Sequence, residues 1–303
     1  MVALQFLVLP VQVRILVRQH EESRFTWLLD FLDPVNTFNM DIIEAMTERR
    51  SVRSFNGEGI PPRLVDALNK ATEEASSPFG GNVTIRLKRF DIEGGYRPST
   101  YGVITGARDF FLIAMKDDEA SALTAGFRFE QVVLRAWQLG LGSCWIAATF
   151  KGSVFDEGNI WNDGERLRIV SPVGFAVKPS FREKITRLAV GSSHRKPFDE
   201  LFFLEDFNRN LPAGNRFAES LEMMRLAPSS TNSQPWRAVV TDNTVHFYCK
   251  PKGSCSMIDC GIGLCHFFEA EKHSGNYGRF MTLDNRPTPP APLRYVTSFM
   301  LMI

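Results

Sequence analysis

Two short strings, far apart in the chain, constrain its fold more than anything between them: RRSVRSF at Arg49–Phe55 and APSSTNSQPWR at Ala227–Arg237. The first carries guanidiniums on Arg49, Arg50 and Arg53 and hydroxyls on Ser51 and Ser54, donors suited to a phosphate and a polyol chain. The second carries short hydroxyls and amides on Ser229, Ser230, Asn232 and Gln234, which can donate to and accept from the edge of a ring. Pro228 and Pro235 stiffen the backbone that presents them. Read singly, the first string is a solvated basic run and the second an exposed turn. Trp236 argues otherwise for the second, because a tryptophan beside a proline is costly to leave in water. A fold that uses both strings must bring them to one place.

Hydrophobic spacing around them predicts mixed helix and strand. Asp41–Glu48 and Pro62–Ala75 read as helices, the latter with Leu64, Val65, Leu68 and Ala71 on one face and Pro62 in its first turn. Val83–Phe90 alternates as a strand does, and Asp109–Lys116 is a continuous apolar run of the kind buried on both faces. A helical stripe over Ala125–Leu139 ends at Gly140, and Leu167–Val177 and Ile185–Gly191 read as strands. Further on come a helix at Ala218–Leu226, strands at Ala238–Thr241 and Val245–Tyr248, and a helix from Asp259 that turns Ile262, Leu264, Phe267 and Phe268 to the core. The proline-rich Arg286–Tyr295 cannot be helical and leads into a final strand. The order repeats: 64–71 corresponds to 218–226, 76–82 to 229–234 and 127–140 to 261–275, which is the pattern of an internal duplication.

Composition narrows the chemistry. With 35 Lys and Arg against 34 Asp and Glu, the chain has no charge excess to recruit nucleic acid, and small molecules are the expected partners. Five cysteines lack CxxC pairs and zinc-finger histidines, so reduced thiols in a cytoplasm are expected, with no metal. There is no GxSxG, no phosphate-binding P-loop and no GxGxxG after a strand. Residues 1–39 begin with an apolar run that Pro10 and Arg14 interrupt, too short to span a membrane and without the basic start of a signal peptide. They are read as an extension before a natural start at Met40.

Both strings resemble the nitroreductase family of FMN-dependent oxidoreductases, in which an RRSxRxF-like segment and a PSSxNxQPW loop meet at one flavin from opposite subunits. GLGSCW at Gly140–Trp145 is similar to the family's GLGTCW, His194–Pro197 to its RKP segment, and the run from Asp259 to the DxGIAxxHF helix of fused relatives. The loop normally follows the arginine segment closely. Here Ser76–Asn82 holds that place in degenerate form and the intact loop lies far downstream. The chain therefore resembles fused pairs whose unequal halves imitate the usual dimer. The resemblance implies an α+β nitroreductase-like fold, an antiparallel-dominated sheet flanked by helices, with repeats at 40–205 and 206–303. It implies one FMN held by Arg49, Arg50, Ser51, Arg53, Arg195 and Lys196 from one half and Ser229, Ser230, Asn232 and Gln234 from the other. Flavin chemistry then follows: NAD(P)H binds transiently without a Rossmann site and reduces the flavin, which reduces a nitroaromatic or quinone in ping-pong fashion. A non-catalytic flavin carrier or sensor is the alternative. The expected assembly is a pseudo-dimeric monomer or a further homodimer.

Overall fold

The structure, a computed structural model, describes residues 40–91, 98–178 and 194–302. The readings of residues 1–39 and of a strand at 185–191 lie outside the described residues. Helix α1 (Ile42–Glu48) starts where the Asp41 carboxylate accepts the Ile43 N–H, and α2 (Pro62–Glu74) starts with proline in its first turn. Strands β1 (Val83–Arg89) and β2 (Asp109–Met115) follow, and all seven residues of β2 are buried. Helix α3 (Glu119–Gln138) begins earlier than its apolar stripe, because Asp118 caps the Ser121 N–H at 2.7 Å. The short β3 (Gly142–Ser143), the single turn α4 (Gly152–Phe155) and β4 (Arg166–Gly174) complete this part. Then come β5 (Phe202–Leu204), α5 (Ala218–Leu226), β6 (Trp236–Thr241), β7 (Thr244–Cys249), α6 (Ser256–His273), β8 (Gly278–Met281) and β9 (Arg294–Leu301).

The described residues form two sheets. In the first the order is β1-β2-β4-β3, every neighbour antiparallel, with Val83 opposite Met115 and Asp109 opposite Val173. In the second the order is β5-β6-β7-β9-β8. Only β5 runs parallel to its neighbour, pairing Phe202 with Ala238; the rest are antiparallel. Apart from β5, both sheets place their strands first, second, fourth, third in chain order, and each has a long helix between its second and third strands.

Those helices, α3 and α6, cross at Gly126 and Gly261. A Cβ at Gly126 would collide with the Ile258 carbonyl oxygen and crowd the Ile262 nitrogen, and a Cβ at Gly261 would collide with the Leu123 oxygen and crowd the Phe127 nitrogen. The two contacts are reciprocal, residue for residue, as at a local twofold axis. Helix α6 buries residues all round, from Ile258 to Glu271, as expected of a central helix. Among the described residues no helix is long and apolar enough to cross a membrane.

Candidate functional site

The chain leaves α1 into RRSVRSF as an extended strip. Val52 N donates to the Ser143 oxygen at 2.8 Å and Phe55 N to the Thr105 oxygen at 2.9 Å, so the strip lies beside β3 and from Ser51 to Ser54 alternates as a strand does. Val52, Ser54 and Phe55 turn inward, while Ser51 and Arg53 turn the other way. Gly142 makes room for Val52, whose methyl groups occupy the space a Cβ would need.

The serine-rich string joins α5 to β6. Trp236 is fully buried, which anchors one end. Thr231, Asn232 and Gln234 all have left-handed backbone, with φ of 50°, 55° and 46°. Asparagine tolerates this region; threonine, branched at Cβ, is strained there. Hydrogen bonds hold the loop in that shape. Asp259, in the first turn of α6, accepts from Ser230 N at 2.9 Å and from Ser233 Oγ at 3.1 Å. Gln234 N donates to Ser229 Oγ at 3.0 Å. Asn232 Oδ1 accepts from Arg195 at 2.6 Å, and Asn232 Nδ2 donates to the His194 oxygen at 2.6 Å.

Strip and loop face each other across a cavity of about 260 Å³. Arg49, Arg50, Ser51, Arg53, Arg195, Ser229, Ser230 and Asn232 all line it, so eight of the ten residues singled out in the sequence come together there. Lys196 and Gln234 do not. Gln234 is buried behind the wall, where its Oε1 accepts the Lys196 N–H at 2.8 Å, and Lys196 Nζ donates to the Ser233 oxygen at 2.9 Å. These two brace the loop and the Arg195 segment against each other.

Sequence reasoning missed part of the lining. Trp145, Ala147 and Ile169 form an apolar side with Ile258 and Ile262, and Asp259 and Cys255 stand at the head of α6. Asp259 and Ile262 belong to a run read as packing alone. The available signal was an acid inside an otherwise apolar helical stripe, which is rarely buried without a task. Glu130 in α3 is a second such acid. It is fully buried and accepts the Trp145 indole N–H at 2.8 Å.

The electrostatics of the cavity favour an anion. Burial, then the like charges of Arg49 and Arg225, pull Arg195 down to about 10. Arg49 Nε is buried without a hydrogen-bond partner, its nearest carboxylate oxygen 3.7 Å away on Glu130. Burial also pushes the Asp259 carboxyl up to about 7, which reduces the negative charge it brings to the cavity near neutral pH. Cations that repel one another, a guanidinium donor left unsatisfied, an apolar wall and a hydroxyl-lined edge together match a planar molecule with an anionic tail.

The family model described as "Putative TM nitroreductase" matches residues 41–270. A "putative nitroreductase" from Thermotoga maritima has the same fold, with a TM-score of 0.55 and 20% identity over 86% of this chain and 93% of its own. An FMN-dependent nitroreductase from Clostridium difficile shares 17% identity over 45% of this chain and 88% of its own, with a TM-score of 0.36. A Bacteroides fragilis nitroreductase with bound FMN shares 17% over 47% and 92%, also at 0.36. A comparison with curated proteins finds no match. The family match spans most of the chain and includes both strings that frame the cavity, and by it this protein belongs to the nitroreductase family.

Proposed function

We propose that the protein is an FMN-dependent oxidoreductase that takes electrons from NAD(P)H and passes them to a small electrophile, a nitroaromatic or quinone, at one site per chain. The observation that carries this reading is the clustering of Arg49, Arg50, Arg53 and Arg195, with one buried Arg49 donor, Nε, left without a hydrogen-bond partner, on the wall of a cavity that joins the arginine strip to the serine loop. Arg49, Arg50, Ser51 and Arg195 are the donors for a phosphate and ribityl chain; Ser229, Ser230 and Asn232 supply the ring edge. Trp145, Ile169, Ile258 and Ile262 would exclude water from the ring. When bound, FMN supplies the hydride- and electron-accepting chemistry, and a cation such as Arg53 near its pyrimidine edge would favour the reduced form.

One site per chain follows if the halves are fused repeats. Three observations support that reading: the shared strand order, the reciprocal glycine crossing and a matched pair of loop clasps. Asp259, shortly before Gly261, holds the serine loop; Thr124, shortly before Gly126, accepts from Gly81 N at 3.1 Å and pairs with Ser77 Oγ at 3.3 Å. In the degenerate loop Phe79 packs edge-on against Phe127 at 5.4 Å and at a tilt against Phe280 at 5.2 Å, so rings fill the space where a second ligand would lie.

The test is anaerobic titration of the flavin-loaded protein with NADH and with NADPH. Bleaching of the visible flavin band, followed by recovery on adding a nitroaromatic or quinone, is the expected result. A flavin that neither nucleotide bleaches would make the protein a carrier or sensor. A colourless protein that ignores added FMN would overturn the flavin reading altogether.

A further inference from the structure

Arg49 stands close to a buried carboxylate and yet is not bonded to it. The reason lies in what Glu130 already holds. Its Oε2 accepts the Trp145 indole N–H at 2.8 Å, and its Oε1 lies 2.9 Å from His266 Nε2; both Glu130 and His266 are fully buried. The other imidazole nitrogen, Nδ1, lies 3.2 Å from the Met223 carbonyl oxygen, which can only accept, so a hydrogen bond there places a proton on Nδ1. A hydrogen bond between Nε2 and Oε1 then requires one more proton between them. Wherever that proton resides, on the imidazole or on the carboxyl, the pair as a whole is neutral. Arg49 Nε, within ion-pair reach of the same Oε1 at 3.7 Å but beyond hydrogen-bond distance, would then face a pair with no net charge to cancel its own.

We propose that Glu130 and His266 form a neutral, proton-sharing pair that withholds the Glu130 carboxylate from Arg49 and so reserves the Arg49 charge for a phosphate-bearing ligand in the cavity. His266 and Glu130 are positioning residues: neither lines the cavity, but the two cavity groups they govern, Arg49 and Trp145, both do. The arrangement draws together the end of α1, the middle of α3, the α5 carbonyl of Met223 and the middle of α6. It rests on the flavin reading only for the identity of the anion.

Two measurements test it. The first needs no ligand: 15N NMR of histidine-labelled full chain at neutral pH, with the His266 signals assigned by their loss in His266→Phe. A protonated Nδ1 is expected. A bare Nδ1, with the proton on Nε2 facing an ionised Glu130, would give the pair a net negative charge and overturn the proposal. The second is FMN affinity. In His266→Phe, Glu130 loses its proton partner and turns to Arg49, so FMN should bind roughly tenfold or more weakly. Glu130→Gln in the same background removes the stray charge and should restore affinity to within about threefold of wild type. A structural role alone predicts that the double variant binds no better than His266→Phe, and that result, or full affinity in His266→Phe, refutes the reserve. If the wild-type chain binds no FMN, the flavin reading fails while the NMR result still decides the pair.

Discussion

Asp259 links the chemistry of the cavity to the stability of the chain. Burial raises its carboxyl to about 7 in the folded protein from an ordinary value of 3.8. Below about pH 4 both folded and unfolded chains hold the proton. Between about pH 4 and 7 the unfolded chain releases it and the folded chain does not, so this group costs the fold on the order of 1 kcal/mol per pH unit, levelling off above 7. Asp259→Asn keeps both loop contacts in principle, accepting from Ser230 N and donating to Ser233 Oγ, and cannot ionise. The variant should therefore lose this component of the pH dependence. Urea midpoints at pH 5 and 7.5 check it: the drop with pH should be smaller in the variant, and an equal drop would show that Asp259 does not titrate in this range. Arg53 carries the other prediction at this scale. Arg53→Ala should weaken FMN and lower its reduction potential, measured by titration and by equilibration with a reference dye; unchanged affinity and potential would remove it from the site. The guanidiniums and hydroxyls of both strings were legible in the sequence because their types announce a task. Gln234 and Lys196 show the limit of that reading. Composition marks a polar loop but not which of its side chains turn to the cavity and which turn back to hold the loop.

At the scale of elements the crossing of α3 and α6 decides most. The helices meet where neither has a side chain, and each glycine faces the other helix's backbone. Gly261→Ala or Gly126→Ala must push the helices apart through a core that is already packed. Each should lose roughly 2–4 kcal/mol, read from urea or thermal unfolding, and a loss under about 0.5 kcal/mol would mean that the crossing is loose. Helix positions were largely readable from the apolar period, as with α2 and α5. The long run of β2 was readable as a strand buried on both faces. The division of strands into two sheets was not, because pairing joins residues far apart: β9 lies between β7 and β8, and β5 adds a parallel edge beside β6. Three residues at Phe202–Leu204 and four at Gly278–Met281 are too few to show a period.

For the whole molecule the question is how many ligands the chain holds if its halves are fused repeats. The arginine strip belongs to the first half and the intact loop to the second, and they share one cavity. The position related to it across the glycine crossing would draw on the Ser76–Asn82 loop and on Phe127, which stands to Gly126 as the cavity-lining Ile262 stands to Gly261. There Phe79, Phe127, Phe268 and Phe280 pack against one another with ring centroids 5.2 to 6.0 Å apart. Aromatic packing of this kind, part edge-on and part tilted, contributes stability, so these rings serve the core. FMN titration followed by flavin fluorescence should break at one equivalent per chain. Phe79→Ala should open space without adding a second equivalent, since among the described residues no second arginine strip faces that side, and should lower stability by roughly 1–3 kcal/mol for the ring packing lost. Two equivalents in either protein would mean that the phenylalanines yield to a ligand and that both halves retain a working site.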